Sequence, residues 1–375
     1  MTQTGQILVN QQSSSLSSTT KPKVLCAMSG GVDSSVATSL LKEQGFEVIG
    51  SMMRFWPDDR PSGAFDLCCS PDAAYDARRI ADKIDVPFYL LDYRDKFDEI
   101  VIDPFIPAYE QGQTPNPCVW CNREIKFGSF VKKGQMLACD FMATGHYVRR
   151  IQGNDGVELH RGDDDGKDQT YFLWALPRDI LKYILFPLGN LTKTEVRQLA
   201  SERDFTVADK KSSSGLCFIT SSVRNYLTEF SEENPGPILD ASDDYKEIGT
   251  HKGIQFYTIG QRKGLGLYHS HLIRFVLDLR PDDNAVIVGT REQCRWTSLR
   301  ANRANFLTDA SKLPERVMAQ TRYRQTPIPA TLKLHDDEHF SLVFDDPVFA
   351  ITLGQSTVIY DGNRLLGGGV IEARA

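Results

Sequence analysis

The stretch from Lys23 to Ser35, Lys-Val-Leu-Cys-Ala-Met-Ser-Gly-Gly-Val-Asp-Ser-Ser, restricts the fold more than any other part of the chain. Val24 to Met28 form an apolar run, Gly30 and Gly31 break it, and Ser34 to Gln44 resume at helical spacing with Val36, Leu40 and Leu41 on one side. The pattern predicts a strand, a tight turn and a helix. Such a turn sets backbone N–H groups and the hydroxyls of Ser29, Ser34 and Ser35 at a helix N-terminus, where unpaired amides and the dipole favour an anion. Glycine serves there because a side chain would hold a phosphate away from the backbone. Neither a Gly-x-x-x-x-Gly-Lys-Ser/Thr loop nor a Gly-x-Gly-x-x-Gly fingerprint is present.

The loop Ser29-Gly-Gly-Val-Asp-Ser34 resembles instead the pyrophosphate loop of ATP pyrophosphatases, which split ATP between its α and β phosphates and transfer AMP to a substrate. Further along, Gly45 stops the first helix and Glu47 to Met53 read as a second strand. Pro57 to Gly63 reads as loop. Ser70-Pro71-Asp72 opens a helix with a capping hydroxyl, a proline at the first helical position and an early acid. Pro87 to Leu91 is a third strand, and Asp95 to Tyr109 is mostly helical with an interruption at Pro104 and Pro107. Arg123 to Leu137 is another helix, and Asp140 to Thr144 a strand running into Gly145-His146-Tyr147. This alternation predicts a parallel, doubly wound α/β sheet, with ligands bound beyond the carboxyl ends of its strands. The Ser-Gly-Gly turn, Met53 and Gly145 should therefore share one edge.

Arg150 to Gly166 reads as a hairpin or loop, Tyr171 to Leu176 as a packed apolar segment, and Thr192 with Glu195 as a capping box. Ser212 to Cys217 is a small-residue loop. Beyond it, glycines and prolines punctuate short strands. This predicts a compact mixed or β domain, then from about Cys294 a small closed β structure. The expected limits are a disordered tail over 1–20, a catalytic domain over 21–220, a central domain over 221–288 and a C-terminal β-barrel over 289–375.

A chain of 375 residues, 41% hydrophobic and 25% charged, fits a soluble protein of two or three domains. With neither a signal peptide nor an apolar run long enough to span a bilayer, a cytoplasmic setting without membrane contact is expected. Eight cysteines in this length are too few for a disulfide scaffold. The net charge of −6 argues mildly against a nucleic-acid partner, yet Arg291 to Arg324 hold eight basic residues against three acidic ones. That local excess suits phosphate contacts or a merely solvated face.

Cys118 and Cys121 stand three residues apart, in Pro115-Asn-Pro-Cys-Val-Trp-Cys-Asn-Arg123, directly before the expected helix. A helix N-terminus lowers a thiol's pKa and favours the reactive thiolate. Cys217 lies in a Gly/Ser loop, Ser213-Ser-Gly-Leu-Cys-Phe218. Cys68-Cys69 is read as buried packing, as are Cys26 and Cys139. Cys294 has no visible partner, and His269-x-His271 is read as surface.

Taken together, several motifs resemble the tRNA-specific 2-thiouridylase family from about Lys23 to the end, in unbroken order. They are the pyrophosphate loop, Thr114-Pro-Asn-Pro117 with Cys121-Asn122, Ala143-Thr-Gly-His-Tyr147, Lys167-Asp-Gln169, Gly215-Leu-Cys-Phe-Ile219, Gly260-Gln-Arg-Lys-Gly264, Thr321-Arg-Tyr-Arg-Gln325 and Gly354-Gln-Ser356. The resemblance implies a pyrophosphatase domain, a small central domain and a C-terminal β-barrel. The implied activity is thiolation at C2 of the wobble uridine of certain tRNAs, using ATP, Mg²⁺ and a persulfide donor such as a cysteine desulfurase or relay protein. It also implies ATP binding by Ala27, Met28, Ser29, Gly30, Gly31, Val32, Asp33, Ser34, Met53 and Gly145, with Asp33 a partner for Mg²⁺. Asn116, Pro117 and Cys118 would meet the flipped base. His146, Lys167, Asp168, Gln169, Arg322, Tyr323 and Gln355 would contact tRNA. Cys217 would carry the persulfide, with Cys121 as nucleophile.

One position departs from the pattern. Where familiar members carry an aspartate suited to general-base work, this chain has Cys118. The departure opens an alternative, a [4Fe–4S] cluster held by Cys118, Cys121 and Cys217 that delivers sulfur as a hydrosulfide; zinc on the same thiols is a third choice. Two rival readings remain: a pyrophosphatase that uses ammonia or an amine as nucleophile, and a tRNA-binding module with a vestigial loop.

Overall fold

A computed structural model describes residues 21–56, 70–210, 215–219, 221–267 and 273–375. The expected tail, the loop Pro57 to Gly63, Cys68-Cys69, Ser212 to Ser214 and His269-x-His271 lie outside the described residues.

The chain runs β1 (Lys23–Ala27), α1 (Val32–Glu43), β2 (Glu47–Arg54), α2 (Pro71–Lys83), β3 (Phe88–Asp92) and α3 (Arg94–Phe97). A π-helical turn over Asp98–Ile102 then leads to α4 (Phe105–Glu110) and α5 (Pro117–Trp120). A second π-helical segment, Cys121–Ser129, passes into α6 (Phe130–Met136), followed by β4 (Phe141–Ala143). Next come the hairpin strands β5 (Val148–Gly153) and β6 (Gly156–Arg161), the short β7 (Ile184–Leu185) and α7 (Lys193–Glu202). Contacts divide the chain into two compact units. The first holds residues up to Phe97, Cys121–Thr220 and Asn363–Leu365; the second holds Asp98–Trp120, Ser221–Gly362 and Leu366–Ala375.

In the first unit β3, β2, β1, β4 and β7 lie side by side in that order, all parallel. The chain turns to opposite sides of β1 to form β2 and β4, so the topological switch lies between β1 and β4, where such sheets bind ligands. Val24 and Cys26 of β1 and Val48 and Met52 of β2 pack with Val36, Ala37, Leu40 and Leu41 of α1 and Ala77, Ile80 and Ala81 of α2. Leu25, Val24 and Cys26 are essentially without exposed surface, as a strand covered on both faces requires. Ser70 caps α2 by accepting from the Ala73 amide, and Thr192 and Glu195 form a complete capping box on α7, both as the sequence predicts.

The helix expected over Arg123 to Leu137 differs in two ways. It begins earlier, at Pro117, and its first half is π-wound from Cys121 to Ser129. Gly128 permits the wider turn, because a Cβ there would sit 2.7 Å from the Arg123 carbonyl oxygen, and the Ser129 hydroxyl donates to the Glu124 carbonyl at 3.0 Å. Cys118 therefore falls inside the first helical turn, and Cys121 one turn deeper, not ahead of the helix.

In the second unit α8 (Val223–Phe230) precedes β8 (Gly236–Asp240), β9 (Lys246–His251), β10 (Phe275–Arg280) and β11 (Ala285–Gly289), which form a mixed sheet in the order β10-β11-β8-β9. Six strands then build the barrel: β12 (Arg295–Phe306), β13 (Arg316–Gln320), β14 (Ile328–Leu334), β15 (Phe340–Phe349), β16 (Ser356–Asp361) and β17 (Arg364–Arg374). Their order is β12-β15-β14-β13-β16-β17, and antiparallel pairing of β12 with β17 closes the circle. Leu299, Ala319, Phe340, Leu342, Ile359 and Ile371 fill the interior.

Candidate active site

Residues Ala27 to Ser34 make the turn between β1 and α1. Ala27 ends the strand and Met28 is buried, its amide donating to the Ser51 carbonyl at 2.8 Å. The Ser34 hydroxyl organises the loop. It accepts from the Ser29 amide at 3.0 Å, lies 3.2 Å from the Ser29 hydroxyl and donates to the Gly31 carbonyl at 3.2 Å. Ser35 donates to the same carbonyl at 2.8 Å. Gly30 is left-handed, with φ +67°, and a Cβ there would lie 2.1 Å from the Ala73 carbonyl oxygen. The loop thus rests directly on the first turn of α2, with no room for a side chain. Gly31 caps α1 with no side-chain hydrogen bond, which leaves the first-turn amides to be satisfied from outside the helix.

Gly145 follows β4 on the other side of the switch. A Cβ there would lie 2.8 Å from the Ser34 amide nitrogen and 2.9 Å from the Asp33 carbonyl carbon. The two strand ends therefore close on each other through backbone alone. Met53 lies near the end of β2, buried, with Ser51 two residues before it. The buried Ser51 hydroxyl has no hydrogen-bond partner among the described residues, an unsatisfied group on the strand that flanks the loop. The expected convergence of the loop, Met53 and Gly145 on one sheet edge is thus present.

Asp33, in the first turn of α1, is the focus of the site's charges. The Tyr147 hydroxyl donates to its Oδ1 at 2.6 Å, and the Lys193 ammonium donates to the same oxygen at 2.6 Å. Burial and the Asp33 charge push the Tyr147 phenol well above its usual range, so it keeps its proton and stays a donor. For Lys193, burial lowers the pKa and outweighs the attraction of Asp33, while Arg197 and Lys167 push the same way. A second lysine, Lys210, reaches the loop from beyond α7: its ammonium donates to the Gly30 carbonyl at 3.3 Å and to Asp76 at 3.1 Å.

Tyr147, Lys193 and Lys210 were not singled out from the sequence. Lys193 carried a signal nonetheless. It is the first residue of α7, where the helix dipole disfavours a cation, so a lysine there calls for a separate anion.

The residues expected to touch tRNA are placed unevenly. In the first unit His146 sits between the rings of Phe127 and Phe186, with Nδ1 2.8 Å from the Thr144 hydroxyl. Burial, with a smaller push from Lys126, brings its pKa down to about 3, so the imidazole is neutral. Asp168 is buried and accepts from the Gly162 amide and the Thr170 hydroxyl, which ties its carboxylate to the hairpin base. Gln169 accepts from the Tyr147 amide at 3.0 Å and so braces the tyrosine that holds Asp33. Lys167 is part-exposed.

In the second unit the Arg322 guanidinium donates to the Ile259 carbonyl at 3.1 Å and to the Ala350 carbonyl and Thr352 hydroxyl at 2.5 and 3.0 Å. Tyr323 stacks under Arg324, 5.5 Å from its guanidinium carbon. The Gln355 amide donates to the Thr114 and Pro115 carbonyls at 3.0 and 3.3 Å, and Thr114 donates to the Leu353 carbonyl at 2.9 Å. The Asn116 amide lies 3.4 Å from the Ser356 hydroxyl. Asn116 and Pro117 are buried and Cys118 is partly exposed.

Cys121 is buried at the start of the π-wound segment, and the next residue, Asn122, donates to the Phe172 carbonyl at 3.2 Å. Cys217 is partly exposed. Its neighbour Phe218 meets Phe97 edge-on at 6.1 Å, and Phe97 stacks on Phe55 at 4.5 Å, which holds the Cys217 turn beside the end of β2. Among the described residues no three His, Cys, Asp or Glu side chains are grouped to hold a metal. Cys118, Cys121 and Cys217 do not make up such a group. No helix among the described residues is long and apolar enough to cross a membrane.

A family model for the tRNA methyl transferase HUP domain matches residues 22–221, one for the tRNA methyl transferase PRC-barrel domain matches 224–290, and one for an aminomethyltransferase beta-barrel domain matches 296–371. The tRNA-specific 2-thiouridylase MnmA of Deinococcus radiodurans is 53% identical over 354 residues, which cover 94% of this chain and 93% of that protein. The enzyme of the same name from Thermus thermophilus is 49% identical over 357 residues, covering 93% and 95%. That from Clostridioides difficile is 43% identical over 356 residues, covering 93% and 98%.

Proposed function

The chain belongs to the tRNA-specific 2-thiouridylase family, and from that premise we propose that it activates C2 of the wobble uridine of tRNA with ATP and replaces O2 by sulfur. The observation that carries the reading is the loop braced by Ser34 and left-handed at Gly30, facing Gly145 across the switch point, in a chain similar to these enzymes over nearly its whole length.

A uracil carbonyl oxygen is a poor leaving group. Attack of O2 on the α-phosphorus forms one P–O bond and breaks the bond to the β-phosphate, so pyrophosphate departs and an O2-adenylate remains. The loop amides and the α1 N-terminus meet the pyrophosphate charge, which is worth most in a preorganised, water-poor site. Ala27 to Ser34 hold the phosphates, while Met53 and Gly145 border the adenosine. Asp33 carries the charge that suits Mg²⁺, which supplies neutralisation of the phosphates when bound. Both donors to Asp33 use Oδ1, so that carboxylate is already oriented before any ligand arrives.

Sulfur then arrives from a donor that loads Cys217 as a persulfide. The Cys121 thiolate attacks the sulfur attached to Cys217, the S–S bond breaks and the terminal sulfur leaves as hydrosulfide. Cys121 and Cys217 become a disulfide that an external dithiol later reduces. Hydrosulfide adds to C2, AMP leaves with the former O2, and 2-thiouridine results. Cys118 stands where a carboxylate base is usual, in the first turn of a short helix, and takes no step in this relay. Asn116, whose amide lies 3.4 Å from the Ser356 hydroxyl, and Pro117 belong to the segment that would meet the flipped uracil. His146, Lys167, Asp168 and Gln169 in the first unit and Arg322, Tyr323 and Gln355 in the second correspond to the family's tRNA-contacting positions and are proposed to contact the RNA.

The test is nucleoside mass spectrometry of tRNA from cells lacking this chain, complemented with wild type, Cys121→Ser, Cys217→Ser or Cys26→Ala. Wild type and Cys26→Ala should restore 2-thiouridine and the other two should not. Thiolation by Cys217→Ser would refute the persulfide route, and loss of no thionucleoside in the deletion would refute the activity itself.

A further inference from the structure

The structure assigns to Lys193 a second position: we propose that it leaves Asp33 when nucleotide binds and becomes the cation on the departing pyrophosphate. This rests on the adenylation reading above and names a residue for it. Three observations converge. Lys193 is the first residue of α7, a place where the helix dipole repels its charge, and burial leaves its side chain only 11% exposed. A cation held against both costs must be compensated, and the compensation present is one carboxylate oxygen, Asp33 Oδ1, at 2.6 Å. That same carboxylate lies in the first turn of α1, directly beside the loop whose amides await an anion.

The arrangement solves a charge problem in both states. With the loop empty, the Lys193 ammonium neutralises Asp33, whose side chain is 33% exposed. Were a magnesium nucleotide bound, Asp33 would help to hold the metal, and the Lys193 ammonium would lose its carboxylate partner. The nearest new anions are the phosphates on the loop. The long four-carbon stem lets the ammonium swing without moving α7, whose N-terminus is fixed by the Thr192–Glu195 capping box and by donation of the Lys193 amide to Asp164 at 2.9 Å. As O2 attacks and the bond to the β-phosphate breaks, negative charge builds on the leaving pyrophosphate, and Lys193 meets it there. The proton stays on the ammonium throughout. Tyr147 remains on Asp33 Oδ1 and keeps the carboxylate from rotating.

The experiment measures AMP release with unmodified tRNA, ATP and a persulfide donor, and inhibition by inorganic pyrophosphate, for wild type, Lys193→Met, Lys193→Arg, Asp33→Asn and the double variant Asp33→Asn with Lys193→Met. Lys193→Met should lower kcat for AMP release about a hundredfold, the scale of losing one preorganised donor. It should also weaken pyrophosphate inhibition at least tenfold and leave the tRNA Kd within twofold. Lys193→Arg should recover part of both. If Lys193 acts only by neutralising Asp33, adding Lys193→Met to Asp33→Asn changes nothing; the proposal requires a further tenfold weakening of pyrophosphate inhibition. Wild-type pyrophosphate inhibition in Lys193→Met overturns the proposal, even if that variant melts earlier. The two readings fail separately. Wild type that releases AMP and pyrophosphate with tRNA but forms no 2-thiouridine sinks thiolation and leaves Lys193 standing. Normal 2-thiouridine formation by Lys193→Met does the reverse.

Discussion

Replacing Gly30 by alanine tests whether the loop is a rigid cradle or a flexible turn. The residue has φ +67°, where an L side chain costs about 1–2 kcal/mol. The added Cβ would also stand 2.1 Å from the Ala73 carbonyl oxygen and 2.7 Å from the Ala73 Cα, both backbone atoms. Neither can rotate away. Helix α2 is anchored by the Ser70 cap and by burial of Ala73, Ala77, Ile80 and Ala81, so the loop must give way, by roughly 1 Å to reach ordinary contact.

Overpacking of this kind costs about 1–3 kcal/mol, and with the backbone strain the total is about 2–5 kcal/mol. A unit of this size should then melt about 5–20 °C lower. A 1 Å displacement of a positioned reactant is worth about a hundredfold in rate. The assay is AMP release from ATP with saturating unmodified tRNA and a persulfide donor, run at least 20 °C below the variant's melting temperature, with circular dichroism as the folding control. Gly30→Ala should release AMP about a hundredfold more slowly while binding tRNA normally. A rate within threefold of wild type would refute the cradle, and so would a variant that melts with wild type.

Three further outcomes follow from other parts of the structure. Gln355→Ala removes the donor to the Thr114 and Pro115 carbonyls and should lower kcat for 2-thiouridine formation about tenfold, with a smaller change in tRNA Kd; steady-state kinetics beside filter binding reads both. His146, with a folded pKa near 3 against 6.5 unperturbed, binds its proton more readily in the unfolded chain. Its contribution to stability is therefore complete above pH 6.5 and declines as pH falls toward 3. Urea midpoints at pH 7.5 and pH 5 should differ for wild type and differ less for His146→Phe. Thr192→Ala breaks the capping box and should cost about 1 kcal/mol, seen as a lower melting temperature with AMP release per folded molecule reduced, because Lys193 loses its fixed base.

Local signals carried most of the fold. The apolar run before two glycines, the Ser70-Pro71 start and the Thr192–Glu195 pair each describe a structure set within a few residues of itself, and each is present as read. What lay beyond reach was set by distant chain. The basic excess between Arg291 and Arg324 is partly neutralised in the folded barrel. Arg316 pairs with Asp345 and Arg300 with Glu372, acids outside that window which strand pairing brings alongside. Arg322 is turned onto carbonyl oxygens of residues 259 and 350, so a residue matched to RNA contact holds two segments of its own chain together. The π-wound start at Cys121 depends on Gly128 accommodating the Arg123 carbonyl, a contact that a 3.6-residue periodicity does not encode. Lys193 was visible only as an anomaly, a cation at the wrong end of a helix.

The central claim is that the loop between β1 and α1 turns the uridine oxygen into a leaving group before sulfur arrives. Transcribed tRNA carrying ¹⁸O at O2 of the wobble uridine, incubated with the protein, ATP and a persulfide donor, tests it in one turnover by mass spectrometry of the products. Each 2-thiouridine formed should be matched by one AMP bearing ¹⁸O on its phosphate. Formation of 2-thiouridine with unlabelled AMP would contradict it.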